Sequence, residues 1–157
     1  MSYELIKSAH ILSAIVLFGT GLGSAFYKFM ADRSDNLATI ATTNRHVVLA
    51  DWIFTTPTVL LQPLTGFWLA HERGDILTSG WLALAVGLFV FAGLCWLTVV
   101  WLQIRMRNDA VAALRGSGTL PERYWRDARR WFWLGVPAFT SMVVVIWLMV
   151  AKPVLGS

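Results

Sequence analysis

Residues 10–29 read HILSAIVLFGTGLGSAFYKF, an apolar run that is long enough to cross a bilayer as a helix. Three similar stretches follow, and the predicted spans cover about 5–29, 47–70, 81–103 and 131–151. Hydrophobic residues make up 57% of the 157 residues and charged residues 14%, which excludes an ordinary soluble domain of this size. The sequence therefore predicts an all-α, polytopic membrane protein, an antiparallel four-helix transmembrane bundle in which residues 1–157 form a single domain.

Lysine and arginine residues are unevenly distributed between the predicted loops. The second loop carries Arg73, whereas the first and third loops and their flanks are rich in basic residues. These are Lys28, Arg33, Arg45, Arg105, Arg107, Arg115, Arg123, Arg126, Arg129 and Arg130. By the positive-inside rule, both basic loops face the cytoplasm, so both termini are expected on the periplasmic side of a bacterial inner membrane. A formal charge of +4 is compatible with nucleic-acid binding, but the basic residues follow the membrane pattern, which predicts anionic lipid at the cytoplasmic face as a partner and no nucleic acid.

The third loop has the pattern of a helical hairpin. Helix-favouring residues continue past the third span to Leu114, and Gly116 lies where the helix is expected to stop. Residues Thr119 to Glu122 match a Thr-x-x-Glu capping box with Pro121 in the first helical turn. We therefore expect a basic cytoplasmic helical hairpin between the third and fourth spans. It serves either as a solvated collar next to the lipid or as a docking surface for a partner protein.

The second span is the most polar of the four. Pro57 and Pro63 each remove one backbone donor, which predicts a helix that bends around an internal space. Asp51 lies about one turn inside this span, and Lys28 is expected at a similar depth, so an ion pair between them is predicted. Proton relay through Asp51 is the alternative. Gln62 is predicted to be a structural polar residue of the same helix.

Gly19 and Gly23 lie on one face of the first predicted helix. Small residues at this spacing favour close packing against another helix. The alternative is that they leave clearance for a flat cofactor next to the backbone. We expect the packing role.

Two histidines are expected at the outer end of the bundle, because His10 enters the first span there and His71 leaves the second. If these two helices are neighbours, the imidazoles can hold haem iron, with the haem propionates reaching Lys7 or Arg73. Zinc is disfavoured because the carboxylate–histidine spacing of a metalloenzyme is absent from the sequence. A histidine at this depth can also hydrogen-bond a neighbouring helix or lie among lipid headgroups, and that interpretation stays open.

The first span resembles that of a known enzyme family. Residues 7–11, KSAHI, are followed by Phe18–Gly19 and by FYK at 26–28, a pattern similar to the first helix of HemJ-type protoporphyrinogen oxidases and of CopD membrane domains. Residues 18–26, FGTGLGSAF, and 50–55, ADWIFT, look more closely like an uncharacterised bacterial family of predicted four-helix integral membrane proteins. The resemblance to the oxidase implies haem b, with His10 and Lys7 at the positions of its histidine and lysine.

These features predict a haem b-binding redox protein of the inner membrane. It would move electrons between a membrane donor such as a quinol and a partner. The expected partners are a quinone or a porphyrin, and a protein partner or further copies of the chain in a homo-oligomer. If the protein is an enzyme, the resemblance implies an oxidoreductase like the HemJ-type oxidase. The alternative is a cofactor-free accessory or assembly subunit of a larger membrane complex, in which His10 and Asp51 hydrogen-bond neighbouring helices.

Overall fold

The computed structural model describes residues 2–74, 79–116 and 118–154. In this part of the chain, the regular secondary structure is entirely helical. The helices are α1 (Tyr3–Asp32), α2 (Leu37–Ala50), α3 (Thr56–Glu72), α4 (Gly80–Arg115) and α5 (Glu122–Ala151), with a π-helical turn at Asp51–Thr55. The all-α prediction is confirmed.

Four helices are long and apolar enough to cross a membrane. They are α1, α4, α5 and the continuous helix Leu37–Glu72, which consists of α2, the π-helical turn and α3. These helices have 30 to 36 residues, whereas a hydrocarbon core about 30 Å thick needs only about 20. Each helix therefore contains its predicted span and extends beyond it, in agreement with a membrane helical bundle.

The apolar side chains of these helices face mainly outward. In the most apolar window of each helix, only 11 to 33% of the residues are buried inside the protein. A water-soluble protein rarely exposes such a large apolar surface, but lipid chains cover it in a membrane. The distribution of burial thus supports the membrane assignment independently of sequence composition.

The π-helical turn lies where Pro57 interrupts the helical hydrogen bonds of the second span. Because proline lacks an amide N–H, the carbonyl group of Ile53 loses its usual partner. The hydroxyl of Thr56 donates to the carbonyl oxygen of Asp51 at 2.9 Å, and the Thr56 amide N–H donates to the same oxygen. The expected distortion of this span therefore takes the form of a π-helical turn.

Helix α5 begins later than its sequence signal predicts. Its N-cap residue is Pro121, whose ψ angle of 152° is extended, and the helix begins at Glu122. The predicted capping box, which had Thr119 as the N-cap, is therefore wrong. A residue that precedes proline is held away from helical geometry, so Leu120 is a poor first residue for the helix.

The predicted packing role of Gly19 and Gly23 is also wrong. A Cβ atom added at either glycine would meet no atom within 4 Å, so neither residue brings α1 into close contact with another helix. The close contact of α1 lies elsewhere, at Gly66 of α3, where an added Cβ atom would lie 3.4 Å from the His10 ring. Small-residue spacing alone does not show which face of a helix meets its neighbour.

The most tightly packed interior lies at one end of the helices. Its largest cluster contains Ile40, Leu102, Met106, Ala110 and Tyr124, each at most 2% exposed. These residues come from α2, α4 and α5. Four of these five residues lie outside the predicted spans and Leu102 lies in the last turn of the third, so the cluster packs the three helices together at this end.

Two ion pairs join α4 to α5 at this same end. Arg105 Nε lies 2.8 Å from Asp127 Oδ2, and Arg123 Nε lies 2.8 Å from Asp109 Oδ2. Both aspartates are buried, so their charges need these guanidinium partners. The pairs therefore fix the relative position of the two helices outside the spans.

Candidate functional site

A cavity of about 370 Å³ lies among α1, the π-helical turn, α3, α4 and α5. Its walls are mainly apolar and aromatic, with Phe18 from α1, Phe89 and Trp96 from α4, and Trp131 and Phe139 from α5. The volume falls within the range of pockets that bind small molecules, roughly 300–1,000 Å³. We call it the intramembrane cavity because its lining residues lie within the predicted spans.

Glycines from three helices contribute to the open space. Gly21 of α1, Gly93 of α4 and Gly135 of α5 line the intramembrane cavity. A Cβ atom added at any of them would meet no atom within 4 Å. A larger side chain at these positions would therefore extend into the cavity rather than into a neighbouring helix.

The cavity opens on the side where α1 faces α5. Leu22 of α1 and Phe132, Val136 and Phe139 of α5 line the cavity, and they are 38 to 59% exposed. Exposed apolar side chains at membrane depth face lipid chains. A molecule dissolved in the bilayer can therefore reach the cavity laterally, between these two helices.

Four polar side chains of the cavity wall have a buried atom without a hydrogen-bond partner in the described part of the chain. The atoms are Asp51 Oδ2, Gln103 Oε1, Trp96 Nε1 and Trp131 Nε1. Leaving a buried polar atom unpaired costs roughly 1–3 kcal/mol. A few polar groups in the wall of an apolar pocket are typical of a ligand site.

Asp51 does not form the predicted ion pair with Lys28. Asp51 Oδ1 accepts a hydrogen bond from the Thr55 hydroxyl at 2.8 Å, and the side chain of Gln103 lies next to the same carboxyl group. Lys28 Nζ lies 2.8 Å from Asp32 Oδ2 instead. The prediction is wrong because Asp32 offers Lys28 a carboxylate one turn away on its own helix. Among the described residues, Asp51 has no cationic partner.

Lys28, Asp32, Asn44 and Tyr124 form a buried network that we call the polar layer. The Tyr124 hydroxyl accepts hydrogen bonds from Lys28 Nζ at 3.1 Å and from Asn44 Nδ2 at 2.8 Å, and it donates to Asp32 Oδ1. The Lys28 ammonium also lies 5.4 Å from the centre of the Trp131 ring. The polar layer joins α1, α2 and α5, and Trp131 borders both this layer and the intramembrane cavity.

His10 is held against α3 by a hydrogen bond to Thr65. The Thr65 hydroxyl donates to the Leu61 carbonyl at 2.6 Å, so its oxygen accepts from His10 Nδ1 at 2.7 Å. Gly66 gives the imidazole room to lie against the α3 backbone. With Nδ1 as the donor, Nε2 is the nitrogen that carries the free electron pair of a neutral imidazole.

Gln62 joins the same two helices next to His10. Its side-chain amide donates to the His10 carbonyl oxygen at 2.9 Å and to the Ser13 hydroxyl at 2.6 Å. Gln62 and Ser13 are both buried. These bonds align α3 with α1 at the level of the histidine.

Of the other predicted haem-site residues, His71 and Arg73 lie at the end of α3 or directly after it, and Lys7 lies about one turn before His10 on α1. His71 is exposed near the end of α3, six residues after Thr65, which corresponds to about 9 Å along the helix and about 240° around it. Lys7 is exposed on α1, and Arg73 directly follows α3. His10 and His71 are therefore not brought together on one face.

The cavity does not fit a haem held by these two histidines. Neither His10 nor His71 lines the intramembrane cavity. Within the described ranges, no group of three or more histidine, cysteine, aspartate or glutamate residues is placed to hold a metal ion. Haem ligation by His10, with His71 as the second ligand, stays a prediction, and the site best formed by the structure is the intramembrane cavity.

Sequence reasoning did not identify Trp96, Gln103 and Trp131 as members of one site. A signal was present at Gln103, which is an amide at the end of an otherwise apolar span. The two tryptophans carry no comparable signal, because tryptophan is common near span ends for lipid-related reasons. Only the packing of α4 and α5 shows that the three residues share a cavity.

Comparison with known proteins identifies the family of the chain. Residues 4–153 match the family model described as predicted integral membrane protein, DUF2269. No curated protein and no solved structure matches the chain. The similarity to HemJ-type oxidases and CopD domains stays a prediction. Because the match covers nearly the whole chain, the protein belongs to the DUF2269 family of predicted integral membrane proteins.

Proposed function

We propose that the protein binds a quinone or its reduced form, a quinol, in the intramembrane cavity. The observation that carries the proposal is the set of four unpaired polar atoms around a cavity with otherwise apolar walls. A quinone has a flat ring with oxygen atoms on two edges and an apolar tail. It therefore matches both the aromatic walls and the unpaired polar atoms.

The unpaired atoms suit both redox forms of such a ligand. Trp96 Nε1 and Trp131 Nε1 are donors, and the carbonyl oxygens of a quinone accept hydrogen bonds from such groups. Asp51 Oδ2 and Gln103 Oε1 accept hydrogen bonds from the hydroxyl groups of a quinol. These atoms are closed off from solvent, so small side-chain rotations at the wall accompany binding. A saturated lipid chain would satisfy none of them.

The exposed side of the cavity supplies the route for the apolar tail. Leu22 and Phe139 border the opening between α1 and α5, and Gly21 and Gly135 keep it free of side chains. The ring then lies between the helices while the tail extends into the bilayer. In this arrangement, the ligand enters the cavity without passing through the packed end of the molecule.

We further propose an antiparallel bundle in a bacterial inner membrane, with both termini periplasmic and a basic hairpin in the cytoplasm. Support comes from the two ion pairs between α4 and α5, in which Arg105 meets Asp127 and Asp109 meets Arg123. Residue numbers thus fall along α4 as they rise along α5. The positive-inside rule assigns the basic end to the cytoplasm.

Equilibrium binding in detergent micelles tests the ligand proposal. The probes are a decyl-substituted benzoquinone and its hydroquinone, with protein-free micelles as the blank. Asp51→Asn replaces the acceptor Oδ2 with a donor, so hydroquinone affinity should fall about tenfold while benzoquinone affinity is kept. Trp96→Phe removes an indole donor and should weaken benzoquinone more than hydroquinone.

Trp52→Phe is the matched control, because Trp52 is 59% exposed and does not line the cavity. It should bind both probes like the unmodified protein. The proposal is overturned if neither probe binds above the blank. It is equally overturned if Asp51→Asn and Trp96→Phe change the affinities of the two probes by the same factor.

A further inference from the structure

A second cavity, of about 450 Å³, lies at the end of α1 and the beginning of α5. We call it the interfacial cavity. Arg33, the C-cap residue of α1, and Arg129 of α5 line it together with aromatic side chains, among them Phe29, Trp125 and Trp133. Both arginines are exposed. This combination of cations and aromatic rings differs from the apolar lining of the intramembrane cavity.

The two arginines lie at the same level of the molecule. The rings of Phe29 and Phe132 are 6.4 Å apart, which sets the register between α1 and α5. Arg33 is one turn beyond Phe29, and Arg129 is about one turn before Phe132. Because residue numbers run in opposite directions along this pair, both guanidinium groups border the same groove. Two cations on either side of one groove suit a shared anion.

The nearby carboxylate of Asp32 does not prevent an anion from binding between the two arginines. Asp32 also lines the interfacial cavity, but both of its oxygens are engaged within the polar layer. Lys28 balances its charge. Arg33 and Arg129 form no ion pair with another described residue. The local charge facing the groove is therefore positive.

We propose that the interfacial cavity binds the phosphate group of an anionic phospholipid. Arg33 and Arg129 contact the phosphate oxygens, while the acyl chains follow the apolar surface of Phe132 and Trp133 toward the bilayer. These two aromatic residues are 45 and 69% exposed. Their position next to the arginines favours a lipid over a free phosphate ion, which has no apolar part to cover them.

Native mass spectrometry of the detergent-purified protein tests this inference without any quinone. The probes are phosphatidylglycerol, the zwitterionic phosphatidylcholine and inorganic phosphate, each added at the same concentrations. The unmodified protein should retain phosphatidylglycerol in preference to phosphatidylcholine. The double variant Arg33→Gln, Arg129→Gln should bind phosphatidylglycerol about tenfold more weakly.

The control is the double variant Arg126→Gln, Arg130→Gln. It removes the same total charge from positions on either side of Arg129, but these two exposed arginines do not line the interfacial cavity. Its affinity should change less than about twofold. Equal losses in both double variants would show general charge attraction and overturn the site. Equal retention of phosphatidylcholine, or displacement of the lipid by inorganic phosphate, would overturn it as well.

Discussion

The polar layer and the intramembrane cavity both border Trp131, yet their polar groups are paired to very different degrees. In the polar layer, Lys28 is fully buried and bonded to Asp32 and Tyr124. In the wall of the cavity, Asp51 keeps a buried oxygen without a hydrogen-bond partner. A buried charge is stable only when it is paired, whereas an unpaired group next to a cavity can be paired by a bound molecule. One end of the molecule thus holds the helices together, and the adjoining part is free to bind.

The largest effect on stability is expected when the cation of the polar layer is removed. Lys28→Met leaves Asp32 and Tyr124 without the buried ammonium, so the free energy of unfolding should fall by roughly 3 kcal/mol. Reversible unfolding in mixed detergent micelles measures the change. Lys7→Met, an exposed lysine of the same helix, is the control and should change stability by less than about 0.5 kcal/mol.

A second substitution separates charge pairing from simple packing at this position. Adding Asp32→Asn to Lys28→Met removes the unpaired carboxylate and should restore at least half of the lost stability. If Lys28→Met is as stable as Lys7→Met, or if the double variant is no better than Lys28→Met, the polar layer does not hold the helices together as described.

The parts of the fold that the sequence predicts depend on local patterns, whereas the parts that it does not predict depend on contacts between distant residues. The four spans follow from apolar runs alone, because hydropathy acts locally along the chain. The pairing of Lys28 with Asp32 also has a local signal, because the two residues are four apart on one helix. The partner Tyr124 is 96 residues away from Lys28. No local pattern indicates a contact of that kind.

A smaller effect is expected at His10, which belongs to neither region. His10→Ala removes the hydrogen bond to Thr65 and should lower the free energy of unfolding by about 1 kcal/mol. His46→Ala, at an exposed histidine, should have no measurable effect.

The same pair of variants tests the haem prediction by absorption spectroscopy of protein purified from haem-replete cells. Iron ligation by His10 requires a Soret band that His10→Ala loses and His46→Ala keeps; a colourless unmodified protein excludes it.

The intramembrane cavity depends on how each helix is rotated about its own axis, and local sequence patterns do not indicate these rotations. Gly21, Gly93 and Gly135 lie on three helices, and nothing in their spacing shows that they face a common space. The glycine pair with a recognised spacing, Gly19 and Gly23, has no such role. Helix rotation is set by contacts between distant residues, such as Gln62 with Ser13, and these become visible only in the structure.

The smallest change in stability is expected from substitutions at two glycines of α1, one of which should strongly weaken benzoquinone binding. A Cβ atom added at Gly21 or Gly23 meets no atom within 4 Å, and Gly21→Leu and Gly23→Leu both replace glycine with a better helix former. Their stabilities should therefore agree within about 0.5 kcal/mol. Gly21 lines the intramembrane cavity and Gly23 does not, so only Gly21→Leu should weaken benzoquinone binding, by at least about tenfold. Equal binding by the two variants would mean that the ligand does not occupy this cavity. A loss in Gly21→Leu without loss of stability would show that the open space serves binding rather than folding.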